Sequence, residues 1–84
     1  MRMIKDIQEF VANCDIGHEF EFDYKGIGYG IGWDKSGKIV AYRKKAFGLH
    51  EQTFDTAEEM LNHFIIDGEP LHDVLPKAVN VIMY

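Results

Sequence analysis

The stretch Gly26-Ile27-Gly28-Tyr29-Gly30-Ile31-Gly32-Trp33 alternates glycine with a large apolar residue four times over. Side chains of an extended strand point to opposite faces in turn, so Ile27, Tyr29, Ile31 and Trp33 line one face while the other has no side chain of its own. The first face is core and the second is bare backbone. Glycine inside a strand costs roughly 0.5–1 kcal/mol relative to alanine. Four in register therefore point to close approach of another group, strong bending, or cover by neighbouring aromatic rings.

Upstream, His18-Glu19-Phe20-Glu21-Phe22-Asp23-Tyr24 also alternates, with Phe20, Phe22 and Tyr24 on one face and Glu19, Glu21 and Asp23 on the other. Lys25-Gly26 fits a two-residue hairpin loop, although lysine is a poorer first residue than asparagine or aspartate for the positive φ of a type I′ turn. That loop pairs Tyr24 with Ile27, Phe22 with Tyr29 and Phe20 with Ile31, so both alternations agree on which face is core. Downstream, Asp34-Lys35-Ser36-Gly37 has the residues of a type I turn followed by a bulge. The bulged register pairs Val40 with Gly32, Tyr42 with Gly30 and Lys44 with Gly28, laying Tyr42 over the glycines. A four-residue loop without the bulge would shift the pairing by one and set Tyr42 against Tyr29. The turn residues favour the bulge.

Helices flank these strands. Ile4, Ile7, Phe10, Val11 and Cys14 recur at helical spacing over residues 3–14, opposite Lys5, Asp6, Glu9 and Asn13. Thr56-Ala57-Glu58-Glu59 has the form of a capping box, followed by Ala57, Met60, Leu61, Phe64 and Ile65 on one helical face, with Asp67-Gly68 and Pro70 as the stop. Residues 46–55 are the least patterned, with Glu51-Gln52-Thr53-Phe54 fitting a short edge strand. Leu71 to Leu75 fits one further helical turn, and Val79 to Tyr84 a terminal strand with apolar residues on both faces. The expected fold is one α+β domain over residues 1–84, of order α-β-β-β-(β)-α-β, its mainly antiparallel sheet of three to five strands packed on one face against two helices.

The chain of 84 residues, with six phenylalanines, four tyrosines and one tryptophan, has apolar content for one small core. Its stretches fall short of the ~20 apolar residues that span a bilayer, and acidic residues follow the N-terminus without a signal-peptide core, so a soluble cytoplasmic protein without membrane contact is expected. A net charge of −5 disfavours general affinity for nucleic acid or anionic membrane. Cys14 is the only cysteine and lies on the apolar helical stripe, as a buried structural thiol does.

Candidate chemistry is sparse. Gly26, Gly28 and Gly30 contain the G-x-G element of phosphate loops, but strict alternation runs on into Trp33 with no helix N-terminus to receive an anion. His18, His50, His63 and His72 form no two-histidine motif, only Glu59 and His63 standing at i, i+4 on a helix, and no metal or cofactor is expected. Ser36 belongs to a turn and Cys14 to a core stripe, leaving no positioned nucleophile. Arg43-Lys44-Lys45 between Tyr42 and Phe47 is the one basic cluster; beside an acidic stripe it reads as a strand end rather than a nucleic-acid platform.

Taken together, Phe22-Asp23-Tyr24-Lys25-Gly26, Tyr29-x-Ile31, the segment Phe54 to Leu61 and Ile66-Asp67-Gly68-Glu69-Pro70-Leu71 resemble short proteins of Gram-positive bacteria and their mobile elements. The resemblance implies a small cytosolic bacterial or prophage protein and carries over no site residues. In size, acidity and element order the chain is also similar to some phage-encoded inhibitors of RNA-guided nucleases, which implies an acidic inhibitor of a nucleic-acid-binding protein as one alternative. The residues themselves favour a non-enzymatic module that binds a protein partner, or another copy of itself, through a sheet face made by Glu19, Glu21, Asp23, Gly28, Gly30, Gly32 and Tyr42. A small-ligand or metal-dependent enzyme is the other alternative and requires a pocket gathering histidines with a carboxylate. An open glycine face predicts that valine at Gly30 leaves folding intact and weakens binding; glycines that serve internal packing beneath Tyr42 predict that it unfolds the protein, an outcome that would count against the exposed face.

Overall fold

The computed structural model describes residues 7–44 and 51–84. Its first hairpin joins β1 (Phe20–Tyr24) to β2 (Ile27–Trp33) with Phe20 opposite Ile31, Phe22 opposite Tyr29 and Tyr24 opposite Ile27. Lys25 at φ 52° and Gly26 at φ 78° make the two-residue left-handed turn that the spacing demands. The second turn places the Asp34 N–H on the Lys38 carbonyl at 2.9 Å and the Gly37 N–H on the Asp34 carbonyl at 3.1 Å. The Asp34 carboxylate accepts from the Ser36 and Lys38 amides, closing the loop from inside. This is the bulged register: β3 (Ile39–Arg43) pairs Val40 with Gly32 and Tyr42 with Gly30.

Among the described residues five strands form one antiparallel sheet in the order β4-β3-β2-β1-β7, with β4 being Gln52–Phe54 and β7 Val79–Met83. Around it run α1 (Ile7–Asp15), α2 (Ala57–His63) and the short α3 (Leu71–Val74), which continues into a 3-10 turn, Leu75–Lys77. Helices and sheet share one cluster of buried side chains. Phe10 and Cys14 of α1, Met60 and Leu61 of α2 and Leu71 and Val74 of α3 pack with Phe20, Phe22, Tyr29, Ile31, Ile39, Ala41, Phe54 and Val81. Those sheet residues all belong to one alternation, so all three helices lie on the same side. The fold is α+β, in the element order read from the sequence, with an added hairpin ahead of the further helical turn expected at Leu71 to Leu75.

One expectation changes in detail. The stripe of α2 was extended through Phe64 to Ile65, but the helix stops at His63, with Phe64 extended and its N–H closing on the Met60 carbonyl. Ile65 is exposed on β5 (Ile65–Ile66), which pairs with β6 (Glu69–Pro70). The reason is the turn between them: Asp67 at φ 53° and Gly68 at φ 79° form a second two-residue left-handed turn, which requires extended chain on both sides. The first helix is described from Ile7, and the part expected over residues 3–6 lies outside the described residues.

The two hairpin ends are tied together. Lys25 Nζ meets Asp67 Oδ2 at 2.7 Å, so the first residues of the two left-handed turns form an ion pair. Beside it the Tyr24 hydroxyl donates to Glu69 Oε2 at 2.6 Å, and Lys77 pairs with the same carboxylate. The Lys25 and Lys77 ammonium groups lie 5.3 and 5.7 Å from the centre of the Tyr24 ring.

Candidate functional site

With the helices on one side, the opposite face of the sheet is made by the other alternation. It contains Glu21 and Asp23 on β1 with Glu19 just before it, Gly28, Gly30 and Gly32 along β2, Val40 and Tyr42 on β3 with Lys44 just after it, and Thr53 on β4. β7 adds Ile82 opposite Glu21, and Tyr84 exchanges backbone hydrogen bonds with Glu19 at 2.7 and 3.4 Å. All seven residues expected to form a binding face therefore stand together.

The face is not bare, because each inner glycine lies beneath a neighbour's side chain. An added Cβ at Gly30 would stand 2.3 Å from Tyr42 Cζ, at Gly28 3.0 Å from Lys44 Cδ, and at Gly32 3.6 Å from the Glu19 side chain. Gly30 and Gly32 are accordingly buried, as is Val40 between Gly32 and Thr53. The glycines form the floor of the site, and Glu19, Tyr42 and Lys44 supply the surface above them.

Lys44 was not among the expected site residues, yet it organises the face. Its Nζ lies 2.7 Å from Glu21 Oε1, and the Tyr84 hydroxyl bonds the same carboxylate. The hydrogen bond from Lys44 holds the Glu21 carboxyl below the usual glutamate range, and Glu21 in turn raises Lys44. Partial loss of solvent raises the Tyr42 and Tyr84 hydroxyls, helped by the Glu21 charge. All four shifts lead away from neutrality, so each group keeps its ordinary ionisation state around pH 7. At the edge, Asn80 Nδ2 donates to Asp23 Oδ2 at 2.8 Å from a residue at φ 55°, which locks a bulge in β7 where two residues oppose one on β1.

Ile82 and Tyr84 also escaped the sequence reading. The sequence marks Val79 to Tyr84 as a terminal strand with apolar residues on both faces but not its place in the sheet, and β7 is an edge strand with Val79, Ile82, Met83 and Tyr84 exposed. The available signal was composition: this segment is uncharged and apolar, unlike the acidic strand it joins.

The remaining candidates disperse. Arg43 pairs with Tyr29 and Lys44 lies over Gly28, so consecutive cations point to opposite faces; Lys45 and Phe47 lie outside the described residues. His18 Nδ1 lies 2.7 Å from the Tyr84 backbone oxygen, which only accepts, so this nitrogen carries the proton. His72 contacts its neighbour Asp73, His63 is exposed on α2, and His50 lies outside the described residues. Among the described residues no three His, Cys, Asp or Glu side chains stand together as metal ligands. Cys14 is buried, and burial, with Asp15 adding, pushes its thiol up to about 12. No helix among the described residues is long and apolar enough to cross a membrane. Comparison with known proteins returned no matching family model, curated protein or solved structure.

Proposed function

We propose that the chain is a non-enzymatic module that binds a protein partner through the sheet face opposite its helices. The observation that carries this reading is the division of the sheet: one face is buried under three helices, and the other presents Glu19, Glu21, Tyr42, Lys44, Thr53, Ile82 and Tyr84 on a glycine floor. Aromatic rings and aliphatic residues set among charges are what protein interfaces use, with rigid tyrosines losing little conformational freedom on binding. The shifts of Glu21, Tyr42, Lys44 and Tyr84 all lead away from neutral pH, which suits fixed polar contacts more than proton transfer.

The test is size-exclusion elution of the tagged chain in an extract of its own host, beside the purified chain. The parent in extract is expected to elute as a heavier complex. Glu19→Lys and Thr53→Lys on the sheet face are expected to return it to the elution of the purified chain, while Asn62→Lys on α2 leaves the complex intact. Loss of the complex in Asn62→Lys alone would place the partner on the helical side and refute the reading.

A further inference from the structure

The edge of β7 adds a second feature to the binding face. Glu19 and Tyr84 exchange both backbone hydrogen bonds, and such pairs alternate with non-bonded pairs along an antiparallel ladder. The adjoining pair, Phe20 with Met83, is therefore non-bonded, and the Met83 N–H and C=O point away from β1. Among the described residues no strand pairs with that side of β7. Exposed edges are usually blunted by charge, proline or a bulge; Val79 to Tyr84 has no charge or proline, its bulge lies at Asn80 and Val81, and beyond that bulge it exposes Ile82, Met83 and Tyr84. One strand inward lies the stripe Glu19, Glu21 and Asp23. Among the described residues Glu21 is ion-paired with Lys44, which also interacts electrostatically with Asp23, while Glu19 forms no ion pair.

We infer that β7 accepts an extended cationic segment of the partner as a sixth strand of the sheet. The inference rests on the binding reading above and specifies its geometry and chemistry. Backbone pairing at Met83 supplies the docking register, and alternate side chains supply selectivity. Residues of the added strand on the open face lie beside Ile82 and Tyr84, about 10 Å, or two strand spacings, from the acidic stripe. An arginine or lysine there covers Ile82 with its aliphatic stem, stacks on the Tyr84 ring and directs its charge toward Glu19 and Glu21. A second copy of this chain fits the same edge less well. Antiparallel pairing about a two-fold axis would put both acidic stripes on one continuous face of two chains that each carry −5.

The experiment uses the whole chain, isotope-labelled, with a capped hexapeptide that alternates arginine and valine. Two control peptides carry glutamate in place of arginine, or N-methyl groups on the amides of the pairing edge. With the first peptide, exchange of the Met83 amide with solvent is expected to slow by about tenfold or more, as for an amide brought into a ladder. The controls are expected to leave it unchanged, Glu19→Gln to weaken the peptide severalfold, and about 0.5 M salt to weaken it further. Peptide-induced shifts confined to β2 and β3, with Met83 untouched, would overturn the edge inference and leave the face reading standing. No response anywhere on the sheet would likewise overturn the edge inference, while the face reading stands or falls separately on elution of Thr53→Lys. Met83 protection that rises with protein concentration in the absence of peptide would overturn it in favour of self-pairing.

Discussion

A Cβ atom on Gly30 would lie 2.3 Å from Cζ of Tyr42 and 2.4 Å from its hydroxyl oxygen, so the tyrosine ring occupies the volume that any other residue at position 30 would fill. The flat face opposite the helices depends on that arrangement. With glycine beneath it the ring lies against the sheet; with a side chain beneath it the ring must lift into solvent.

Alanine substitutions along β2 should therefore differ sharply. Gly30→Ala displaces Tyr42 and is expected to cost about 1–3 kcal/mol, the range for overpacking. Gly32→Ala meets only the Glu19 side chain at 3.6 Å, an ordinary contact, and is expected to be neutral or to stabilise by up to ~1 kcal/mol. In a Tyr42→Ala background the penalty at Gly30 should largely disappear, because the three nearest atoms all belong to that side chain. Urea midpoints for the double-mutant cycle measure this coupling; equal costs of Gly30→Ala with and without Tyr42 would show that the ring does not rest there.

The same contact decides between the two expectations for valine at Gly30. Open glycines would tolerate it, whereas glycines seating Tyr42 require the ring to lift, and the bulged register already placed that ring over them. The register was legible because Lys25-Gly26 and Asp34 to Gly37 carry turn chemistry that fixes pairing by itself. The end of α2 was not, since Phe64, Ile65 and Ile66 suit a continuing helical face and a two-residue strand equally well. Nor was the place of β7. Its apolar pattern states that both faces favour burial, but which strand it joins is set by the path of the whole chain, and the result is an edge with Ile82 and Tyr84 exposed. Lys44 was placed over Gly28 by the register, while its bond to Glu21 depended on side-chain geometry across β2.

Thr56 Oγ1 accepts from the Glu59 amide at 3.1 Å, with Thr56 itself extended, so it caps α2. Thr56→Ala is expected to destabilise the protein by roughly 0.5–2 kcal/mol, while Thr56→Ser loses little. Chemical denaturation followed by circular dichroism checks both; an unchanged midpoint for the alanine variant would remove the cap from the account.

Acid should weaken the fold through specific carboxylates. Glu21 is lowered chiefly by the hydrogen bond from Lys44, and Glu69 chiefly by that from Lys77, with Tyr24 next. A carboxyl held lower in the folded chain than in the unfolded chain contributes stability above the ordinary glutamate range. It loses that contribution as pH falls through its own lowered value. Melting temperature should therefore drop as the pH falls through and below the glutamate range, and the drop should be shallower in Glu69→Gln. Parallel profiles for parent and variant would exclude Glu69 as a contributor.

Cys14 is 1% exposed, and its thiol is pushed up to about 12 by burial first and Asp15 second. At pH 8 the native thiol should react with a soluble disulfide reagent on the order of 100-fold more slowly than in denaturant, because access requires opening of α1. Rapid native labelling would show that the α1 packing opens readily.

The central claim, that the face built on Gly28, Gly30 and Gly32 meets the partner, is tested most directly by photo-crosslinking in the cell of origin. A benzophenone amino acid is placed singly at Thr53 and Tyr84 on that face, and at Asn62 and His72 on the helical side. The account predicts a covalent adduct of one discrete mass, common to Thr53 and Tyr84 and absent from Asn62 and His72. An adduct formed from the helical positions and not from the sheet positions would contradict it.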